Sequence, residues 1–151
     1  LPINDVRRII RAIEVTRATG IPFSRQPDRE IPSPFQWRMV STALPRDELY
    51  RGINQRVDEM IKAGLAEEVR TLLEEGVPEN AQSMAGLGYK EMIPYLKGFY
   101  SLEDAAEAIK LGTRHYAKRQ MTFLRRESSV RYVEVNSPNA YEEVKSILSN
   151  E

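Results

Sequence analysis

The chain has 151 residues, enough for one domain with a sizeable core, and its 22 basic and 22 acidic residues cancel to no formal net charge. It contains no cysteine and a single histidine, His115, which excludes disulfides, thiolate zinc sites, cysteine catalysis, histidine metal clusters and a serine–histidine triad. No apolar run approaches the roughly 20 residues needed to span a bilayer and no signal peptide is visible, so a soluble, cytoplasmic protein without a membrane partner is expected. The charge is segregated: residues 110–126 are strongly basic and 58–79 mostly acidic. The chain opens Leu-Pro-Ile without methionine, and a fragment of a longer protein is expected.

In chain order, Asn4 or Asp5 is placed to cap a helix with Val6, Ile9, Ile10 and Ile13 at core spacing and Gly20 as its stop. Its other face carries Arg7, Arg8, Arg11 and Arg17, readable as a solvated face with Arg11 and Glu14 paired. Residues 21–34, with four prolines, predict a linker or irregular loop. Residues 35–40 alternate apolar and polar and predict a strand, in which Trp37 reads as a core or edge aromatic; stacking on a nucleotide base is the alternative. Pro45 ends that strand. A helix is predicted over 46–63 with Leu49, Ile53, Val57, Met60 and Ile61 inward, and a second over 65–75 with Leu65, Val69, Leu72 and Leu73 inward. The acidic residues on this pair read as a solvated face, without the inward pairing that carboxylate catalysis needs.

Gly86-Leu87-Gly88 is not a phosphate loop: no strand precedes it, no further glycine stands at the required spacing, and Lys90 is not followed by Ser or Thr. It reads as a turn into a helix from Tyr89, broken near Pro94 and finished by Gly98. Ser101, with Glu103 and Asp104 in the first turn, predicts the start of a long helix. A second strand is predicted over 130–135 and a last helix from Ser137-Pro138, with Tyr141, Val144, Ile147 and Leu148 as its stripe. Two strands do not make an independently stable sheet, so they are expected to be outer members of a larger one.

The stretch Thr113-Arg114-His115-Tyr116-Ala117-Lys118-Arg119-Gln120-Met121-Thr122-Phe123-Leu124-Arg125 organises the rest. At roughly 100° per residue, Lys110, Arg114, Lys118, Met121 and Arg125 fall on one stripe, Ile109, Tyr116, Ala117, Phe123 and Leu124 fill the adjacent arc, and Arg119 and Arg126 lie beyond it. An apolar seam flanked by cations suits a helix that lies on the protein and holds a polyanion along its edges; a solvated basic face is the plainer alternative.

The string Thr-Arg-x-x-Ala-Lys-Arg-Gln-x-Thr-Phe-Leu-Arg resembles the C-terminal signature of the tRNA dimethylallyltransferases (tRNA isopentenyltransferases). Further matches stand in order: residues 4–15 closing with Thr19-Gly20, then Gln55-Arg56, Gly64-Leu65-Ala66-Glu67-Glu68-Val69 and Gly88-Tyr89-Lys90-Glu91. Together they cover almost the whole chain. The resemblance implies a mainly α piece with two or so strands, the C-terminal part of a P-loop-kinase-like α/β domain plus part of its helical insertion. Residues 1–34 would be the helix and linker at the insertion and 35–151 the rest of the α/β core with a helical tRNA-binding face.

The family transfers a dimethylallyl group from dimethylallyl diphosphate to N6 of the adenosine 3′ of the tRNA anticodon. The resemblance assigns the diphosphate loop and the general-base aspartate to an N-terminal half absent here, so no catalytic residue is expected in this chain and no transfer by it alone. Arg56 matches the arginine that reaches the diphosphate. Lys118, Arg119, Gln120, Thr122, Phe123 and Arg125, with Arg7, Arg8, Arg11 and the Gly88, Tyr89 and Lys90 corner, match the residues that grip the anticodon stem-loop. Phe123 departs from the pattern, since the family usually has tryptophan there. Magnesium is implied by the family, with no ligand identified in this chain. Two other classes remain to be distinguished: a non-catalytic RNA-binding helical domain, and a helical interaction module whose basic face serves solubility alone.

Overall fold

The computed structural model describes residues 3–26, 34–35 and 37–149. By contact density the chain divides into two units, Leu1–Trp37 and Arg38–Glu151. The predicted linker falls largely on residues outside the description, as does Gln36 of the predicted first strand.

In the first unit, α1 spans Val6–Thr19. Asp5 caps it by accepting from the Arg8 N–H at 3.2 Å, and Gly20 closes it in the left-handed conformation at φ 69°. The expected core face is not buried: Val6, Ile10 and Ile13 are 62%, 51% and 47% exposed. Helical spacing reports which side of a helix is apolar, not whether anything covers it. Phe23–Arg25 forms one 3-10 turn, tied back by the Phe23 N–H to the Thr16 hydroxyl at 3.1 Å. Trp37 is 72% exposed and meets Phe35 edge-on at 6.0 Å, so the expected core aromatic is a surface one.

The second unit holds β1 (Met39–Ala43), α2 (Arg46–Lys62), α3 (Leu65–Glu74), α4 (Tyr89–Leu96), α5 (Leu102–Leu124), β2 (Val130–Glu134) and α6 (Ala140–Ser149). Its core lies among the helices. Val57 of α2, Leu65 and Val69 of α3, Met84 of a 3-10 turn, Met92 of α4, and Ala105 and Ile109 of α5 form one buried cluster. Each large side chain so buried contributes on the order of 1.5–3 kcal/mol. Gly64, at φ 101°, turns the chain sharply enough for α3 to follow α2 at once.

β1 and β2 pair in parallel from Met39 opposite Val130 to Ala43 opposite Glu134. The first strand therefore starts at Met39 and not at Phe35. Its extent is set by where β2 offers a ladder, a partner 91 residues away that local alternation cannot report. Val130 and Val133 are buried, and the Arg38 guanidinium caps the end of α6 by donating to the Leu148 carbonyl at 3.0 Å.

Two other boundaries differ from expectation. α4 runs through Pro94 to Leu96, because a proline in the last turns forfeits a single backbone bond. Residues 137–139 form a turn closed by the Ala140 N–H on the Ser137 carbonyl at 3.1 Å, so α6 starts at Ala140; its predicted stripe is only half-covered, with Tyr141 76% and Leu148 53% exposed.

Candidate functional site

Helix α5 begins with a reciprocal cap. The Asp104 N–H donates to the Ser101 hydroxyl at 3.1 Å, and Asp104 accepts from the Ser101 N–H and hydroxyl. These donors hold the Asp104 carboxyl below its ordinary value, the Ser101 hydroxyl most of all. The 23 residues that follow make a rod about 35 Å long at 1.5 Å per residue. Its first half is embedded in the helical core through Ala105, Ala106 and Ile109. Its second half runs past that core to the sheet, where Ala117, Gln120, Met121 and Leu124 face Ser41, Thr42 and Tyr132 across an open cleft of about 370 Å³.

The expected basic stripe does not behave as one surface. Lys110 faces α2, with its ammonium 2.8 Å from Asp58 and 2.9 Å from Glu107; both partners raise its pKa, Asp58 more. Arg114 is half-buried and donates to the Asn54 side chain at 2.7 Å. These two cations fasten α5 to α2. Lys118, Arg119, Arg125 and Arg126 are exposed and make no ion pair among the described residues; the Arg119 guanidinium lies over the Tyr116 ring at 5.7 Å. Tyr116 and Phe123, expected in the apolar arc, are 51% and 65% exposed, because the covered side is the one carrying Ala117, Met121 and Leu124. Thr122 turns its hydroxyl back to the Lys118 carbonyl at 2.8 Å.

The 86–90 corner reaches the middle of α5. A Cβ added at Gly112 would lie 2.6 Å from the Leu87 Cδ1, so the glycine leaves room for Leu87 to nest against the helix. Gly88, at φ 106°, is buried, and its N–H donates to Glu91 at 2.8 Å. Tyr89 is half-buried and donates to Glu68; that bond, ahead of burial, raises its pKa. Among Gly88, Tyr89 and Lys90, Lys90 is the exposed one, its ammonium 3.5 Å from Glu91.

Arg56 is exposed on α2. The two acids nearest to it in sequence are engaged elsewhere, Asp58 with Lys110 and Glu59 with the Gln55 amide at 2.8 Å. Helical spacing sets Arg56 on the flank of α2 turned from the Asn54–Asp58 line that meets α5, so it is a separate cationic position from the α5 group. On α1, Arg8 pairs with Asp5 at 3.4 Å and Arg11 with Glu14 at 3.5 Å, both in solvent, where such pairs exchange readily for another anion. Arg7 makes no ion pair among the described residues.

The acidic residues are solvated as expected, and some of them also hold partners: Asp58 on α2 holds Lys110, Glu68 on α3 holds Tyr89, and Glu79, in the turn beyond α3, holds Lys97 at 2.6 Å. Sequence reading missed Glu68 and Asn54, whose partners lie 21 and 60 residues away with no local signal. The Tyr116–Arg119 contact was legible in principle as an i, i+3 pair. Among the described residues no group of three or more carboxylate or histidine side chains is placed to hold a metal ion. No helix among the described residues is long and apolar enough to cross a membrane.

Known proteins resemble the chain in sequence and in fold. A tRNA dimethylallyltransferase of Thermomicrobium roseum is 43% identical over 145 residues, covering 96% of this chain and 44% of that protein. One of Desulforudis audaxviator is 48% identical over 133 residues, covering 87% and 43%. The crystal structure of a full-length tRNA isopentenylpyrophosphate transferase from Bacillus halodurans superposes with a TM-score of 0.75 at 35% identity, over 97% of this chain and 45% of that one. A tRNA delta(2)-isopentenylpyrophosphate transferase from Staphylococcus epidermidis gives 0.73 at 33% identity. The chain thus spans rather less than half the length of these curated relatives. The IPP transferase family model matches residues 1–127 of it, so the chain belongs to the IPP transferase family.

Proposed function

We propose that this chain is the C-terminal, RNA-gripping half of a tRNA dimethylallyltransferase, completed by an N-terminal half that brings the diphosphate loop, the general base and any magnesium. The observation that carries the reading is the group of exposed cations without an ion pair among the described residues on the second half of α5 and the turn that ends it, Lys118, Arg119, Arg125 and Arg126, in a chain that belongs to this family. Lys118 and Arg125, seven residues apart, share one line of the helix about 10 Å long, a spacing suited to successive phosphates of a bent RNA strand. Arg119 and Arg126 flank that line, and Lys90 extends the cationic surface from the corner. The partner is the anticodon stem-loop of tRNA, and the place of action is the cytoplasm.

The chemistry divides the labour. The carbon–oxygen bond of dimethylallyl diphosphate breaks, the N6 of the adenosine forms the new carbon–nitrogen bond, and its proton leaves to a base. Negative charge collects on the departing diphosphate, where a guanidinium lowers the barrier; Arg56, with no ion pair among the described residues, is the residue for that task. The adenine is stacked in its loop and must be turned outward to react, which requires that the backbone on both sides be held. The α5 cations and Lys90 hold it, and the exposed rings of Tyr116 and Phe123 offer faces to unstacked bases.

The test is prenyl transfer to unmodified anticodon stem-loop RNA, read beside the intact mass of the protein. Transfer by a protein about twice this chain's length, and none by a 17.3 kDa chain that still binds the RNA, is expected. Transfer by the 17.3 kDa chain alone would overturn the division of labour. Absence of transfer by the longer protein would favour a non-catalytic RNA-binding domain.

A further inference from the structure

The corner at residues 86–90 is held from several sides. From within, Glu91 accepts from the Gly88 N–H at 2.8 Å and its second oxygen lies 3.5 Å from the Lys90 ammonium. From α5, the space at Gly112 admits Leu87. From α3, two residues one turn apart act together. Leu65, buried in the core, lies under Gly88, where an added Cβ would come within 3.9 Å of its Cδ2, and Glu68 accepts the hydroxyl proton of Tyr89. Leu65 and Glu68 are i and i+3 on one helix, so they present one face to the corner. α3 is itself fixed, with Val69 fully buried beside Leu65.

We infer that Glu68 is a positioning residue for RNA binding: by holding the Tyr89 hydroxyl it fixes the start of α4 and aims the Lys90 ammonium at a phosphate. The inference rests on the reading of the corner and of α5 as an RNA surface. It gives a carboxylate on an acidic helix a role in recognising a polyanion, which charge alone would not suggest. Glu68 does not touch the RNA. It works through Tyr89, an aromatic ring with two side-chain torsions that a single hydrogen bond at its tip can fix. Without that bond the ring and the first turn of α4 are free to tilt, and Lys90 loses its aim while the core beneath stays packed.

The experiment is a binding series on the intact protein with a fluorescent anticodon stem-loop, read as affinity and as its dependence on salt, with thermal melting beside it. Glu68→Ala and Tyr89→Phe should each weaken binding about fivefold, the size of one hydrogen bond, and the double variant should be no worse than either single. Glu68→Gln keeps an acceptor and should bind nearly as the parent does. The salt slope of Glu68→Ala should fall by about one phosphate contact, and adding Lys90→Ala in that background should cost nothing more. A merely structural role would lower the melting temperature and leave the slope and the Lys90 coupling unchanged, which would overturn the inference. So would additive losses in the double variant. Should these variants be silent while reversal of Lys118 and Arg119 abolishes binding, the inference falls alone; should that reversal be silent too, the RNA reading falls and takes the inference with it.

Discussion

The two halves of α5 carry similar cations and use them in opposite ways. In the first half, Lys110 has only 14% of its side chain exposed between Asp58 and Glu107, and Arg114 donates to Asn54. In the second half and the turn that ends it, Lys118, Arg119, Arg125 and Arg126 stand in solvent without an ion pair among the described residues. The helix is one continuous element, and the difference lies in what it faces. α2 runs beside the first half and presents acceptors; the cleft between the second half and the sheet is lined by Ser41, Thr42, Tyr132 and apolar side chains, and no carboxylate is among its lining residues. A basic residue is an anchor or a ligand contact according to the surface opposite it, which its own sequence neighbourhood does not reveal.

The contrast can be broken most forcefully from the buried side. Ile109→Ala opens a cavity where α5 enters the core and should cost about 2–5 kcal/mol of stability by denaturant unfolding, with no change in the RNA salt slope at temperatures where the variant is folded. Reversing Lys118 and Arg119 together to glutamate should have the converse effect: a loss on the order of a hundredfold in stem-loop affinity at moderate salt, with melting unchanged. Lys110→Met sharpens the comparison, since it removes a cation eight residues from Lys118. It should lower stability by no more than about 1 kcal/mol, because Asp58 and Glu107 are solvent-screened, and leave RNA binding as it was. A tenfold loss of affinity in that variant would show that both halves touch RNA.

The smallest effect is at the start of the helix. Asp104 has its pKa lowered in the folded chain relative to the ordinary 3.8. A group lowered on folding contributes stability that is present above its unfolded value and is lost as pH falls through the folded one. The parent should therefore lose stability more steeply than Asp104→Asn as pH falls below about 4, and parallel acid titrations followed by circular dichroism would show it.

Much of this molecule was legible from local chemistry. Ser101, Pro45, Gly64 and Gly20 stand within a residue of real helix ends because a cap or a positive φ is decided by a few adjacent atoms. Heptad-like spacing located Val57, Leu65, Val69 and Ile109 in the core. What failed depends on partners far along the chain. The first strand was misplaced by four residues because β2 defines it, the α1 face was taken for core because nothing in its spacing tells covered from open, and Lys110 and Arg114 were grouped with cations they do not resemble in use. For the candidate site, motifs singled out Lys118, Arg119, Arg125 and Arg56, which the structure leaves exposed, whereas Glu68 was grouped with its acidic neighbours, since a contact with Tyr89 across 21 residues leaves no periodic trace.

The continuity of α5 has a consequence for the thermodynamics of association. Because Ala105, Ala106 and Ile109 immobilise one end of an uninterrupted helix, the backbone under Lys118 to Arg125 is ordered before any partner arrives. Binding then sacrifices only side-chain rotamer freedom, about 0.5–1.5 kcal/mol for each long cation, and none of the cost of folding a loop or a disordered arm. On the proposed reading the protein meets its partner with a stiff surface, and whatever distortion the complex requires is left to the more flexible RNA.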